Sequence, residues 1–113
     1  MKDKKKIEAC NAKIKDSFDF DFYKTLFDPV RVEILVYLAS HGKQSIKEIA
    51  ENFSQDRSVI SRHLDLLYRY KMVHKTKESR HIYYEVDKAL IVEKFEGTTK
   101  KLKELIAAYP KKK

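Results

Sequence analysis

Turn-forming residues are scarce in this chain: two Gly and two Pro in 113 residues, and no Trp at all. That scarcity excludes a loop-rich or all-β architecture and favours helices joined by few sharp turns. A single cysteine, Cys10, excludes an intrachain disulfide and suits a reducing cytosol. On a helix face it reads first as packing or surface, and second as a residue that bridges subunits or reports oxidation. No window of about 18 apolar residues occurs, so no membrane-spanning helix is expected. The Lys-rich N-terminus also lacks the continuous apolar run of a signal peptide, and the expectation is a cytoplasmic protein.

Groupings that do chemistry are missing too. There is no Gly-rich phosphate loop, no nucleophile beside a base and no cluster of histidines with carboxylates. His41, His74 and His81 fall on different elements without ligand-like spacing, so no metal and no cofactor is expected. The chain reads as a non-enzyme.

Positive charge is what the sequence has in excess, with 25 Lys and Arg against 17 Asp and Glu, a net +8. Residues 1–28 carry seven basic and six acidic groups, and residues 29–52 carry three of each. Residues 53–84 carry seven against three, and residues 85–113 eight against five. A surplus gathered in the second half marks a polyanion partner. The length allows one small domain with a thin core, to which a partner subunit would add stability.

Helical signals run through most of the chain. Residues 1–16 form a Lys-rich N-terminal extension with Ile7, Cys10 and Ile14 at helical spacing, either a short amphipathic helix or a frayed tail. Ser17 is the expected cap of a helix to about Leu26 that carries Phe18, Phe22 and Leu26 on one side. Asp28-Pro29 then opens a helix ending at His41-Gly42, with Val30, Ile34, Leu35 and Leu38 inward. Ser45-Ile46-Lys47-Glu48 is a capping box for a short helix. The next helix is expected from Asp56 to about Lys71, only two residues after the last. Two helices joined so closely form a helix-turn-helix.

That second helix sorts into two faces. Ile60, Leu64 and Leu67 make a buried stripe, while Ser58, Arg62, Asp65 and Arg69 stack along the other side. Hydroxyls and guanidinium groups on an open face suit the DNA major groove, where Arg bonds guanine bidentately. The bland alternative is an ordinary solvated surface. After Met72 the period becomes alternating: Val73, Lys75 and Lys77, a turn at Glu78-Ser79, then Ile82 to Val86, a hairpin with basic residues at its tip. From Asp87 the pattern is helical again. Ile91, Phe95, Thr98, Leu102, Leu105 and Tyr109 form a heptad-like seam suited to a second helix, either of a partner copy or of the same domain. The expected fold is mainly α with a small β-hairpin, in the order α-α-α-α-β-β-α with an extra N-terminal helix. The domain spans residues 17–109 and a basic tail spans 110–113.

This order resembles the winged helix-turn-helix repressors of the ArsR/SmtB type. Phe27-Asp28-Pro29-Val30-Arg31-Val32-Glu33-Ile34-Leu35 resembles the family's A-D-P-T-R-L-x-I-L run. Ser58 to Leu67 resembles its S-T-V-S-R-H-L-x-x-L recognition helix, and Arg80-His81-Ile82-Tyr83-Tyr84 the end of its wing, G-R-x-V-Y-Y. The likeness covers residues from about 18 to 108. It implies a homodimer built on the first and last helices, with Phe22, Ile91, Phe95, Leu102, Leu105 and Tyr109 at the interface. It also implies repression relieved when a ligand, often a metal ion, shifts the dimer. The chain departs from the family at two of its well-known metal sites. Where a Cys-Val-Cys motif would stand it has Ser45-Ile46-Lys47-Glu48-Ile49, and Asp87 to Tyr109 contains no His.

The reading that follows is a sequence-specific, double-stranded DNA-binding transcriptional repressor. Arg57, Ser58, Ser61 and Arg62 would meet the major groove, and Lys75, Lys77 and Arg80 would hold phosphates. His63 either packs within the motif or touches a base. The rivals are a sequence-indifferent architectural or plasmid-maintenance protein, and a winged helix that docks a protein. The effector is left unknown.

Overall fold

A computed structural model describes residues 4–108 of the chain. Helix α1 (Lys4–Ser17) and the short α2 (Phe20–Leu26) lead into α3 (Pro29–His41). A two-residue strand β1 (Gln44–Ser45) precedes α4 (Ile46–Ala50) and α5 (Arg57–Arg69). Strands β2 (Val73–Glu78) and β3 (His81–Val86) form the hairpin, and α6 (Lys88–Ala108) closes the order. This is the mainly helical winged helix-turn-helix expected from the sequence, with an N-terminal helix in place of a frayed tail. Tyr109 and the expected 110–113 tail lie outside the described residues.

Local chemistry sets most element boundaries. The Asp28 carboxylate accepts from the amides of Val30 and Arg31, at 3.1 and 3.2 Å, so the first two free N–H groups after Pro29, which has none, are satisfied. The Ser45 hydroxyl accepts from Glu48 N at 3.1 Å while the Glu48 carboxylate accepts from Ser45 N at 2.7 Å, a complete capping box. Three expectations are corrected. Ser17 belongs to α1, and the cap of α2 is Asp19, which accepts from Phe22 N at 3.2 Å. Helix α4 ends at Ala50, so residues 51–56, not two residues, separate it from α5. The sheet has three strands in the order β1-β3-β2, all antiparallel, because Gln44 and Ser45 pair with Tyr84 and Tyr83.

Helix α5 stops in a Schellman motif. Lys71 takes φ +63, its amide donates to Tyr68 O, and Met72 N donates to Leu67 O, both at 2.9 Å. Met72 and Leu67 are both fully buried, which supplies the apolar contact of that motif. Lys71 is thus a side chain in a glycine position. Lys71→Gly is expected to stabilise the domain by about 0.5–1 kcal/mol, the left-handed penalty less the added chain entropy. A urea midpoint that stays put or falls would contradict this reading.

The core joins Phe22 and Leu26 of α2 to Ile34, Leu35 and Leu38 of α3, Ile49 of α4, the buried stripe of α5, and Met72, Val73 and Tyr84 at the base of the hairpin. Helices α2, α3 and α4 and strand β2 pack against α5 from behind, so its other side faces away from the domain.

Candidate nucleic-acid interface

Ile60, Leu64 and Leu67 are completely buried, and their spacing turns one face of α5 onto the core. On the opposite side Ser58, Arg62, Asp65 and Arg69 are exposed and Ser61 is half-buried at the edge, while Arg57 is exposed at the first position of the helix, seven residues before Leu64. Among the described residues no carboxylate is ion-paired with Arg57, Arg62 or Arg69. Arg62 and Arg69 therefore lie along one open helix face with unspent donors, and Arg57 adds a third guanidinium at the N-terminal end of the helix. Such a face can form paired N–H bonds to a planar acceptor edge or to phosphate oxygens.

His63 stands apart from that row. It is half-buried, and Arg31 Nη1 donates to its Nδ1 at 3.0 Å. Because a guanidinium only donates, Nδ1 accepts and the neutral ring carries its proton on Nε2. Arg31 Nε also donates to Thr25 O at 2.7 Å. One arginine thereby ties the end of α2 and the start of α3 to the middle of α5. Burial lowers the His63 pKa first, the cations of Arg31 and Arg62 lower it further, and the Asp28 carboxylate opposes them.

The hairpin lies beside α5 as a wing. Its register pairs Val73 with Val86, Lys75 with Tyr84 and Lys77 with Ile82, so both lysines share the sheet face that carries buried Tyr84. Their settings differ. The Lys75 ammonium sits 5.2 Å from the ring centroid of Tyr68 and 6.0 Å from that of Tyr84. Lys77 and Arg80, exposed like Lys75, have neither a ring contact nor an ion-pair partner among the described residues. Glu78, between them, is paired with Lys43. Ser79 takes φ +57, so serine fills the turn position that glycine favours.

One residue of the expected dimer interface is corrected. Phe22 is fully buried in the core of its own domain and has no surface to offer a second copy. Ile91 packs partly against that core, and Thr98 meets the Tyr23 hydroxyl at 2.7 Å. Leu102 and Leu105 are half-buried, whereas Phe95 is exposed, with Tyr23 edge-on at 5.1 Å. Val92 and Ile106, which the heptad seam leaves out, are the more open apolar positions on α6. Tyr109 lies outside the described residues. Arg31 and Tyr68 are the other site residues that the sequence reading does not single out. Arg31 and His63 are 32 residues apart, so no local spacing betrays their contact.

The metal positions of the ArsR/SmtB type do not fit this chain. Ser45 caps α4 through its hydroxyl, Ile46 and Lys47 follow it, and no histidine lies on α6. Among the described residues no group of three or more His, Cys, Asp or Glu could hold a metal ion. Among them, too, no helix is long and apolar enough to cross a membrane.

Residues 28–75, from the cap of α3 to the first half of the wing, match the family described as bacterial regulatory protein, arsR family. An uncharacterised HTH-type transcriptional regulator of Methanocaldococcus jannaschii is 32% identical over 68 residues, covering 59% of this chain and 76% of the relative. Among solved structures, a possible transcriptional regulator for arsenical resistance superposes with a TM-score of 0.64 at 26% identity, covering 80% of this chain and 98% of its own. An ArsR-like transcriptional regulator from a Rhodococcus species gives 0.61 at 25% identity, over 88% and 84% of the two chains. Capped α3, two-faced α5 and the start of the wing fall within residues 28–75, and the chain belongs to the arsR family of bacterial regulatory proteins.

Proposed function

We propose that the protein is a sequence-specific transcriptional repressor that binds double-stranded DNA as a homodimer. The observation that carries this reading is the open face of α5, whose Arg62 and Arg69, with Arg57 at the N-terminal end of the helix, have no carboxylate partner among the described residues. Arg57, Ser58, Ser61 and Arg62 read base edges in the major groove, and Lys77 and Arg80 reach phosphates from the wing. His63 holds the helix in place from behind.

The shape of the chain supports a second copy. The 21-residue α6 contains no buried residue, and Val92 and Ile106 are 55% and 69% exposed. Its radius of gyration is 18.7 Å, against about 13 Å for a compact domain of this length. Helices α1 and α6 lie along each other and carry apolar residues with nothing over them in the single chain. A two-fold pair joined there presents two α5 helices to successive grooves, and an operator so occupied excludes polymerase.

Arg62→Ala should weaken specific binding by about 1–3 kcal/mol and relax base preference at one position of the site. Lys77→Met should weaken specific and random duplex alike and flatten the salt dependence by about one counterion. Competition between selected and random duplex tests the whole reading. A specificity ratio of at least ~10³ fits a repressor, and a ratio near one fits an architectural protein instead. Specific binding left untouched by Arg62→Ala would mean that the wrong face of α5 has been assigned to DNA.

A further inference from the structure

Lys75 has a different setting from its neighbours on the wing. Lys75, Lys77 and Arg80 are all exposed, but the Lys75 ammonium rests 5.2 Å from the Tyr68 ring and 6.0 Å from the Tyr84 ring. Tyr68 lies on the last turn of α5, Lys75 on β2 and Tyr84 opposite it on β3. Three elements therefore meet at one cation. Tyr84 is buried in the core and gives the contact a fixed floor, while the half-exposed Tyr68 gives it a wall belonging to the recognition helix. Among the described residues no carboxylate is ion-paired with Lys75, so ring faces are its partners.

We propose that Lys75 is a positioning residue: its ammonium, seated on Tyr68 against Tyr84, sets the angle of the wing relative to the recognition helix and does not bind phosphate. The inference rests on the DNA-binding reading above and replaces the phosphate role that sequence alone suggests for this lysine. Leverage explains why the contact matters. Lys75 lies near the base of the hairpin, and the tip is three residues further on, roughly 10 Å at the rise of a strand. A tilt of roughly 10° at the base would move the tip by nearly ~2 Å, enough to break a hydrogen bond from Lys77 or Arg80 to a phosphate oxygen.

The test needs five variants and two readouts. The first readout uses no DNA. Protons on the Lys75 methylene next to the ammonium should resonate upfield in the wild type through the Tyr68 and Tyr84 ring currents, and Tyr68→Leu should remove much of that shift. The second is duplex affinity as a function of salt. Lys75→Met and Tyr68→Leu should each weaken binding roughly three- to tenfold with the salt slope unchanged, and the double variant should be no weaker than either. Lys75→Arg, which keeps a cation over the rings, should bind like the wild type. Lys77→Met should lower the slope by about one. The proposal is overturned if Lys75→Met lowers the slope as Lys77→Met does, or if Tyr68→Leu leaves affinity unchanged. A wild-type protein that bound no duplex at all would sink the DNA-binding reading instead. The ring-current shift would then decide the seat of Lys75, and its absence would overturn that too.

Discussion

A chain carrying Val92→Lys and Ile106→Lys is expected to sediment as a monomer and to lose roughly 10²–10⁴-fold of its affinity for a two-half-site operator. The fold should survive. Both side chains are more than half exposed in the single chain, so replacing them removes little internal packing, and such surface changes usually move stability by under about 0.5 kcal/mol. Between two copies the situation reverses, because each lysine would carry a charge into an apolar seam. Positions 92, 95, 99, 102 and 106 are spaced three, four, three and four apart, which puts Val92, Phe95, Leu102 and Ile106 on one stripe of α6. Affinity falls steeply because the second recognition helix of a dimer binds at the high local concentration set by the first. Lysine is chosen over glutamate deliberately: added positive charge favours phosphate, so any loss must come from assembly. A doubly substituted protein that remained dimeric by sedimentation would move the interface away from this stripe.

The seam on α6 illustrates where sequence and structure part. Heptad spacing selects Ile91, Thr98 and Leu105, but Tyr23 bonds Thr98 and the core takes part of Ile91. The open stripe is therefore the adjacent row. A period tells which residues share a face, and the partner that claims the face is a tertiary fact. Capping chemistry behaves differently because it is local. Asp28-Pro29 and Ser45-x-x-Glu48 act within three residues of themselves, and both operate as expected. The two faces of α5 were legible for a related reason: its apolar stripe is strong and its polar row unambiguous. Strand β1 was not, since two residues carry no alternation to read, and its pairing with β3 spans about 40 positions. The seat of Lys75 depends on Tyr68 from one element and Tyr84 from another, so its lysine looked like any other wing cation. Ser17 and Asp19 both suit a cap, and nothing short of the chain path chooses between them.

Arg31→Met is expected to destabilise the domain by about 2–3 kcal/mol and to weaken DNA binding in proportion as α5 loosens. The guanidinium makes two charge-assisted bonds, to Thr25 O and His63 Nδ1, and removing it leaves both acceptors on a partly buried surface without their donor. Arg31→Lys should rescue only part of the loss, since one ammonium cannot reproduce a fork aimed at two elements. A pH signature separates this clamp from ordinary packing. The folded-state pKa of His63 lies below its ordinary 6.5, with burial as the first cause and Arg31 among the others. The unfolded chain therefore binds the proton more readily, so stability is greatest above pH 6.5, declines as pH falls through it, and levels off below the lowered value. Protonation also places a positive charge on a ring that the Arg31 guanidinium already contacts, and it removes the acceptor at Nδ1. In Arg31→Met the His63 pKa should move back up and the acid decline should shrink, leaving the part due to burial. Titration of the His63 ring protons in both proteins checks this directly. An unchanged pKa would mean that Arg31 does not govern the ring, and that the stability loss has another origin.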